Sequence, residues 1–182
     1  MRSFLVVLAI ISALGTGNSQ NIYKSSASRV SFFAGTPVED ISAITDQATS
    51  FLNTSTGEVV ASIPMNSFQF EQSLMQDHFN ENYVESEKFP KASFKGTIDN
   101  LKSVNWKSQD TVVMSVTGDL TIHGVTKQRT IQARFIKQNG KLSITSSFRV
   151  LLADHNIDRP KILWEKLADE VNVKLKFAYE PY

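Results

Sequence analysis

The chain has 182 residues, no cysteine, and 19 Lys+Arg set against 18 Asp+Glu. A balance this even excludes the basic footprint of a general nucleic-acid binder and gives no long-range attraction to anionic membranes. Without cysteine there are no disulfides and no cysteine-linked lipid anchor, and the length suits one domain with a sizeable core.

Residues 1–19 read as a secretory signal. Arg2 supplies a short positive start, Phe4 to Leu14 an apolar run, and Gly17 and Ser19 are small residues suited to the cleavage site. The run is too short to span a bilayer, and polar sequence follows it at once. The mature domain is expected over 20–182, starting at Gln20, with no stable membrane anchor and a periplasmic or secreted location. Loss of Arg2 lowers Lys+Arg from 19 to 18, so the mature chain is close to neutral. No linker, repeat or low-complexity tract divides it.

Two-residue alternation dominates the rest. Val30, Phe32 and Ala34 alternate with Ser31 and Phe33; a weaker strand falls near 48–53, and "NTSTGE" joins it to 58–65, where Val59, Ala61, Ile63 and Met65 share a face. Segment 36–47 fits either a short helix or an irregular edge strand. Ala92, Phe94, Gly96 and Ile98 form the next strand.

In 111–122, Val112, Met114, Val116, Leu120 and Ile122 share one face with Gly118, leaving Val113 as the apolar exception on the other. His123-Gly124 then turns the chain into 125–137, with Val125, Ile131, Ala133 and Phe135 on one parity. Asn139-Gly140 is a strong hairpin signal, since both turn positions favour positive φ. Leu142, Ile144, Phe148 and Val150 follow in 141–150, and Val171, Val173, Leu175, Phe177 and Tyr179 in 170–179. About eight antiparallel strands result, an even number that closes on itself and removes exposed edges.

Two stretches break the rhythm. Between Ser73 and Pro90, Leu74, Met75, Phe79 and Tyr83 make a narrow helical stripe, with Ser73 and Gln76 as a capping box and Phe89-Pro90 returning the chain to strand. A shorter helix is expected at about 160–167, with Asp158 as N-cap and Pro160 in the first turn.

"SLMQDHFNENYVESEKFPKASFKGTI" followed by "VTGDLTIHGVTKQRTIQARF" resembles the YceI-like family of polyisoprenoid-binding proteins, in its helix ending at an aromatic-Pro step, its F-x-G and its G-x-L-T-I-H-G-V-T. The resemblance extends over about 22–180. It implies an all-β fold, an eight-stranded antiparallel lipocalin-like barrel with one or two short helices, holding a long isoprenoid or similar lipid in an exported bacterial protein. No cofactor is implied. Oligomeric state stays open, a homodimer among the arrangements.

The candidate cavity lining follows from apolar parity: Phe32, Ile63, Met65, Phe68, Phe70 and Phe94 from the first half, and Met114, Val116, Phe135, Ile144, Phe148, Val173 and Phe177 from the second. Leu74, Met75, Phe79 and Tyr83 form a candidate lid, against the plainer reading that the helix packs on the barrel's exterior. Alternation alone does not separate a hollow barrel from a filled one.

Chemistry-bearing patterns are sparse. His78, His123 and His155 fall in no ligand-pair spacing, so no metal site is expected, and His123 reads as a turn residue bonding local backbone. Asp154, Asn156, Asp158 and Glu165 match positions 1, 3, 5 and 12 of a calcium loop, but Arg159 stands where that loop needs glycine. Arg129 and Arg134 read as solvated. There is no G-x-S-x-G and no phosphate-binding glycine loop. The leading expectation is an exported lipid carrier with no chemical step and no catalytic residue. Its alternatives are an envelope enzyme or accessory using His123 or Asp154, and a filled structural or stress-response β-domain.

Overall fold

The computed structural model describes residues 21–35, 40–104, 106, 111–138, 141–157 and 169–182. The expected signal segment, the expected Asn139-Gly140 turn, and the expected second helix with Asp158, Pro160 and Glu165 lie outside them.

The strands are β1 (Ile22–Ala34), β2 (Ile41–Thr45), β3 (Thr49–Asn53), β4 (Glu58–Pro64), β5 (Gln69–Phe70), β6 (Lys91–Ile98), β7 (Thr111–Ile122), β8 (Val125–Gln138), β9 (Lys141–Leu151) and β10 (Glu170–Pro181). Eight of them form an antiparallel ring in the order β10-β9-β8-β7-β6-β4-β3-β1, closed by pairing of β1 with β10. The ring strands are the eight expected from alternation. Two short additions complete the sheet: β2 pairs with the second half of β1, where β3 has parted from it, and β5 pairs with β2. Segment 36–47 thus contains a short strand, at Ile41–Thr45, rather than a helix, and β5 covers part of its outer edge.

Closure is set by local chemistry as much as by pattern. His123 and Gly124 both adopt positive φ, 50° and 71°, which makes the two-residue β7–β8 connection the mirror-image turn that matches strand twist. Gly96 and Gly118 face each other across β6 and β7. A Cβ on Gly118 would fall 2.3 Å from both Gly96 Cα and Lys95 O, so the two backbones approach too closely for any side chain.

Strand direction gives the barrel two unlike ends. At one, Leu52, Ile98, Met114 and Leu142 are buried together and Trp106 packs edge-on against Phe135 at 6.2 Å. At the other lie the long β4–β6 connection, the β7–β8 turn and the 152–157 turn. The connection carries helix α1 (Ser73–His78), which continues through Phe79–Tyr83 as a wider π turn closed by Val84 N–H donating to Phe79 O at 3.0 Å. The expected capping box does not form. Gln72, not Ser73, occupies the cap position, without a side-chain cap bond, and the Gln76 side chain instead accepts from Phe70 N–H at 3.4 Å.

Replacing Gly118 by Ala is expected to lower stability by about 1–3 kcal/mol or more, since the clash is with backbone that cannot turn aside. Urea denaturation of the variant checks this; Gly35→Ala, whose nearest neighbour is the far edge of the Phe33 ring at 3.2 Å, serves as the mild control.

Candidate functional site

Inward-facing residues of the ring enclose a cavity of about 190 Å³. Along β10 every second residue from Val171 to Tyr179 lines it, a span of about 26 Å at the usual strand rise. The space is therefore long and narrow. Small residues keep it open where the walls approach: Ala61, Ala92, Ala133, Ser50 and Ser146 all face it.

A second cavity of about 80 Å³ lies toward the helix end. Phe32, Phe79, Val84, Leu152, Ile157 and Val171 line both, so these six side chains form the partition. Its centre is aromatic. Phe79 from the helix stacks on Phe32 at 5.4 Å, meets Phe68 edge-on at 5.7 Å, and lies 5.1 Å from Phe70. Phe32 also meets Phe68 at 5.3 Å and Phe70 at 5.8 Å. Such pairs contribute about 0.5–1.5 kcal/mol each beyond the area they bury.

The sequence candidates distribute as follows. Phe32, Ile63, Met65, Phe68, Phe94 and Val116 line the inner cavity, as do Phe135, Ile144, Phe148, Val173 and Phe177. Phe70 lines the outer one. Met114 does not line either; it is buried one pair nearer the packed end, opposite Ala133. Of the helix residues, Phe79 lines both cavities while Met75 and Tyr83 line the outer. Leu74 is 62% exposed. Consecutive residues on a helix point about 100° apart, so Leu74 and Met75 cannot share the inward face, and the stripe reduces to the every-fourth set.

Several lining residues were passed over although alternation marks them, among them Val171, Leu175 and Tyr179 on the same face as Val173 and Phe177. Leu152 and Ile157 carry no such signal, because they belong to a turn whose side-chain directions follow no period.

No charged side chain lines the inner cavity among the described residues. Its hydroxyls are engaged: Ser146 donates to Gln132 O at 2.6 Å, and Ser50 donates to Val60 O at 2.9 Å while lying 2.6 Å from the Tyr179 hydroxyl. Burial pushes the Tyr179 phenol up to about 12, only partly opposed by its bond to Ser50. It is neutral at any physiological pH.

His78 lines the outer cavity, while His123, His155 and Asp154 sit outside both, in a clasp behind the partition. His123 Nδ1 lies 3.1 Å from His155 O, and its Nε2 lies 2.7 Å from Glu85 Oε2. The ring is thus held at both nitrogens by oxygen atoms. Phe89 packs edge-on against it at 4.5 Å. His155, fully buried, returns the link by donating from Nδ1 to Val125 O at 3.0 Å. Asp154 is paired with Arg129 at 2.6 Å, so Arg129 is half-buried and ion-paired rather than solvated as its sequence position suggests. Val84, Leu152 and Ile157 of the partition are neighbours of Glu85 and His155, so the clasp fixes the segments that close the cavity. Among the described residues no three His, Asp or Glu side chains gather as a metal site.

An eight-stranded antiparallel barrel with a slender interior, uncharged among the described residues, defines the class: a lipocalin-like barrel. The model of the YceI-like domain matches residues 23–179, and the chain belongs to that family. Among solved structures it is similar to a polyisoprenoid binding domain from Saccharophagus degradans implicated in plant cell wall breakdown, with a TM-score of 0.77 at 15% identity over 88% of this chain and 98% of that one. It is also similar to BcnA of Burkholderia cenocepacia, with a TM-score of 0.68 at 17% identity over 83% of this chain and 95% of that one. The Campylobacter jejuni YCEI protein aligns over 100% of both chains with a TM-score of 0.53 at 15% identity. No curated protein matches the sequence.

The clasp makes stability pH-dependent. Burial holds the His155 imidazole below the ordinary 6.5, with neighbouring Arg129 acting in the same direction and the Val125 carbonyl and Asp154 opposing. The unfolded chain then takes up a proton that the folded chain resists, so stability is full above 6.5 and declines as pH falls toward the folded value. Glu85, held below 4.5 chiefly by its bond to His123, adds a further loss only as pH falls through that lowered value. The thermal midpoint is expected to fall between pH 7.5 and 5.5, and more weakly in His155→Gln; an equal fall in both proteins would remove His155 as the cause.

Proposed function

We propose that the protein is an exported carrier or sequestering protein for a long isoprenoid or similar apolar lipid, acting by burial without a chemical step. The observation that carries this reading is the long cavity whose described lining is uncharged and almost wholly apolar. Such a space offers a prenyl chain about 25 cal/mol for each Å² it hides from water and offers a polar substrate nothing. Membership of the YceI-like family supports it, as does the similarity in fold to a polyisoprenoid binding domain.

Size adds a requirement. An apolar cavity of about 150 Å³ accommodates a benzene-sized guest. The inner cavity, at about 190 Å³, therefore takes only a short segment of a long chain while the partition stays shut. Loading requires Phe79 and Phe32 to part and join the two cavities. The helix is then a lid whose Phe79 is the latch, and its attachment to a π turn rather than a regular helix end suits such movement.

Val116 faces the cavity and is 4% exposed. Replacing it with Trp is expected to fill ligand volume, so that native mass spectrometry of protein from its own source finds lipid on the wild type and none on the variant, at similar thermal midpoints once the wild type is stripped of lipid. A fall in midpoint for protein that never carries lipid would return the barrel to a filled structural domain.

Export is part of the same proposal. Among the described residues no helix is long and apolar enough to cross a membrane. N-terminal mass spectrometry of the natural protein is expected to show a start near Gln20, and retention of Met1 would contradict export by this signal.

A further inference from the structure

Deep in the cavity, near the end of β10, two hydroxyls meet in a wall whose only other described hydroxyl, that of Ser146, is turned to Gln132 O. Tyr179 and Ser50 are 4% and 1% exposed, come from strands on opposite sides of the β1 seam, and lie 2.6 Å apart. Both line the cavity. Their protons are already committed. Ser50 Oγ donates to Val60 O, so the short bond between the hydroxyls has Tyr179 as donor and Ser50 as acceptor. What remains is the acceptor capacity of the Tyr179 oxygen, since a phenolic oxygen accepts as well as donates.

We infer that the Ser50–Tyr179 pair is an acceptor subsite for the hydroxyl of a neutral prenyl alcohol that enters the barrel alcohol-first. This deepens the lipid-binding reading and rests on it. The pair discriminates by counting hydrogen bonds. An alcohol donates to Tyr179 and adds one bond without breaking any. An aldehyde or quinone oxygen needs a donor, and obtains one only if Tyr179 abandons Ser50, for no net gain. A phosphate or pyrophosphate terminus is worse placed, because no cation lines the cavity among the described residues and an unpaired buried charge is prohibitively costly. Orientation follows from position. Val171 lines the partition while Tyr179 stands eight residues further along the same wall, so a hydroxyl reaching it must lead the chain inward.

The test uses the full mature chain, stripped of lipid, with farnesol and farnesal as probes of equal length. In the wild type farnesol is expected to bind more tightly, by the roughly 2- to 12-fold that one net hydrogen bond supplies. In the double variant Ser50→Ala with Tyr179→Phe, the ratio is expected to fall to about one; removing both partners keeps the packing and leaves no orphaned hydroxyl. Ser50→Ala alone frees the Tyr179 proton, so the aldehyde is expected to gain on the alcohol. Equal wild-type affinities, or an alcohol preference that survives the double variant, would overturn the subsite while leaving the carrier intact. Failure of both probes to bind the wild type would overturn the carrier reading and the subsite with it.

Discussion

Pairing of the first strand with the last is the constraint on which everything else rests. β1 and β10 run together from Tyr23↔Pro181 to Phe33↔Asn172, with one register shift between Ser25 and Ala27. Without this seam the sheet would have two long unpaired edges and no inside. With it, the alternation of eight strands acquires a direction, and every second residue points into a shared space. The extra residue at the shift bends β1 where it leaves β3 for β2, and that bend opens the wall at the helix end.

The helix belongs to this opening. A closed ring leaves its mouths to be dealt with separately, and the two are treated differently. One is packed shut by Leu52, Ile98, Met114 and Leu142. The other is met by four phenylalanines from β1, β5, the connection before β5, and the helix. Behind it, the two histidines tie the 152–157 turn to the β7–β8 turn, and Glu85 ties in the end of the helix connection. The polar residues therefore hold the frame of the mouth rather than act inside it.

The ring strands were legible because each presents one apolar face to the interior and one polar face to water, and that pattern survives in the sequence. Most of the cavity lining came with them, since parity fixes direction whether the barrel is hollow or filled. What alternation could not convey was depth. Val112 shares the parity of Val116 yet is 38% exposed, because β7 begins beyond the packed end. Met114 is inward but falls in the floor. Leu74 is apolar and adjoins Met75 in sequence, but the 100° step of a helix turns it to solvent. Leu152, Ile157 and the bonds of His123 and Arg129 depend on segments distant in sequence meeting at the mouth, and nothing local announces that.

The cavity itself is the least expected expense in so small a domain. At about 24 cal/mol per Å³, a void of this size costs on the order of 4–5 kcal/mol, comparable to the whole net stability of a marginal domain. Filling it would require no new architecture. Larger aliphatic side chains at Ala61, Ala92, Ala133 or Ser146 would close the space from four different strands. A barrel under pressure only to be stable has those substitutions within single steps, yet four small residues converge on one volume and two aromatic rings guard its entrance. On the carrier reading proposed above, a ligand that fills this space recovers the lost dispersion contacts and burial, and by linkage adds its own binding free energy to the folded state.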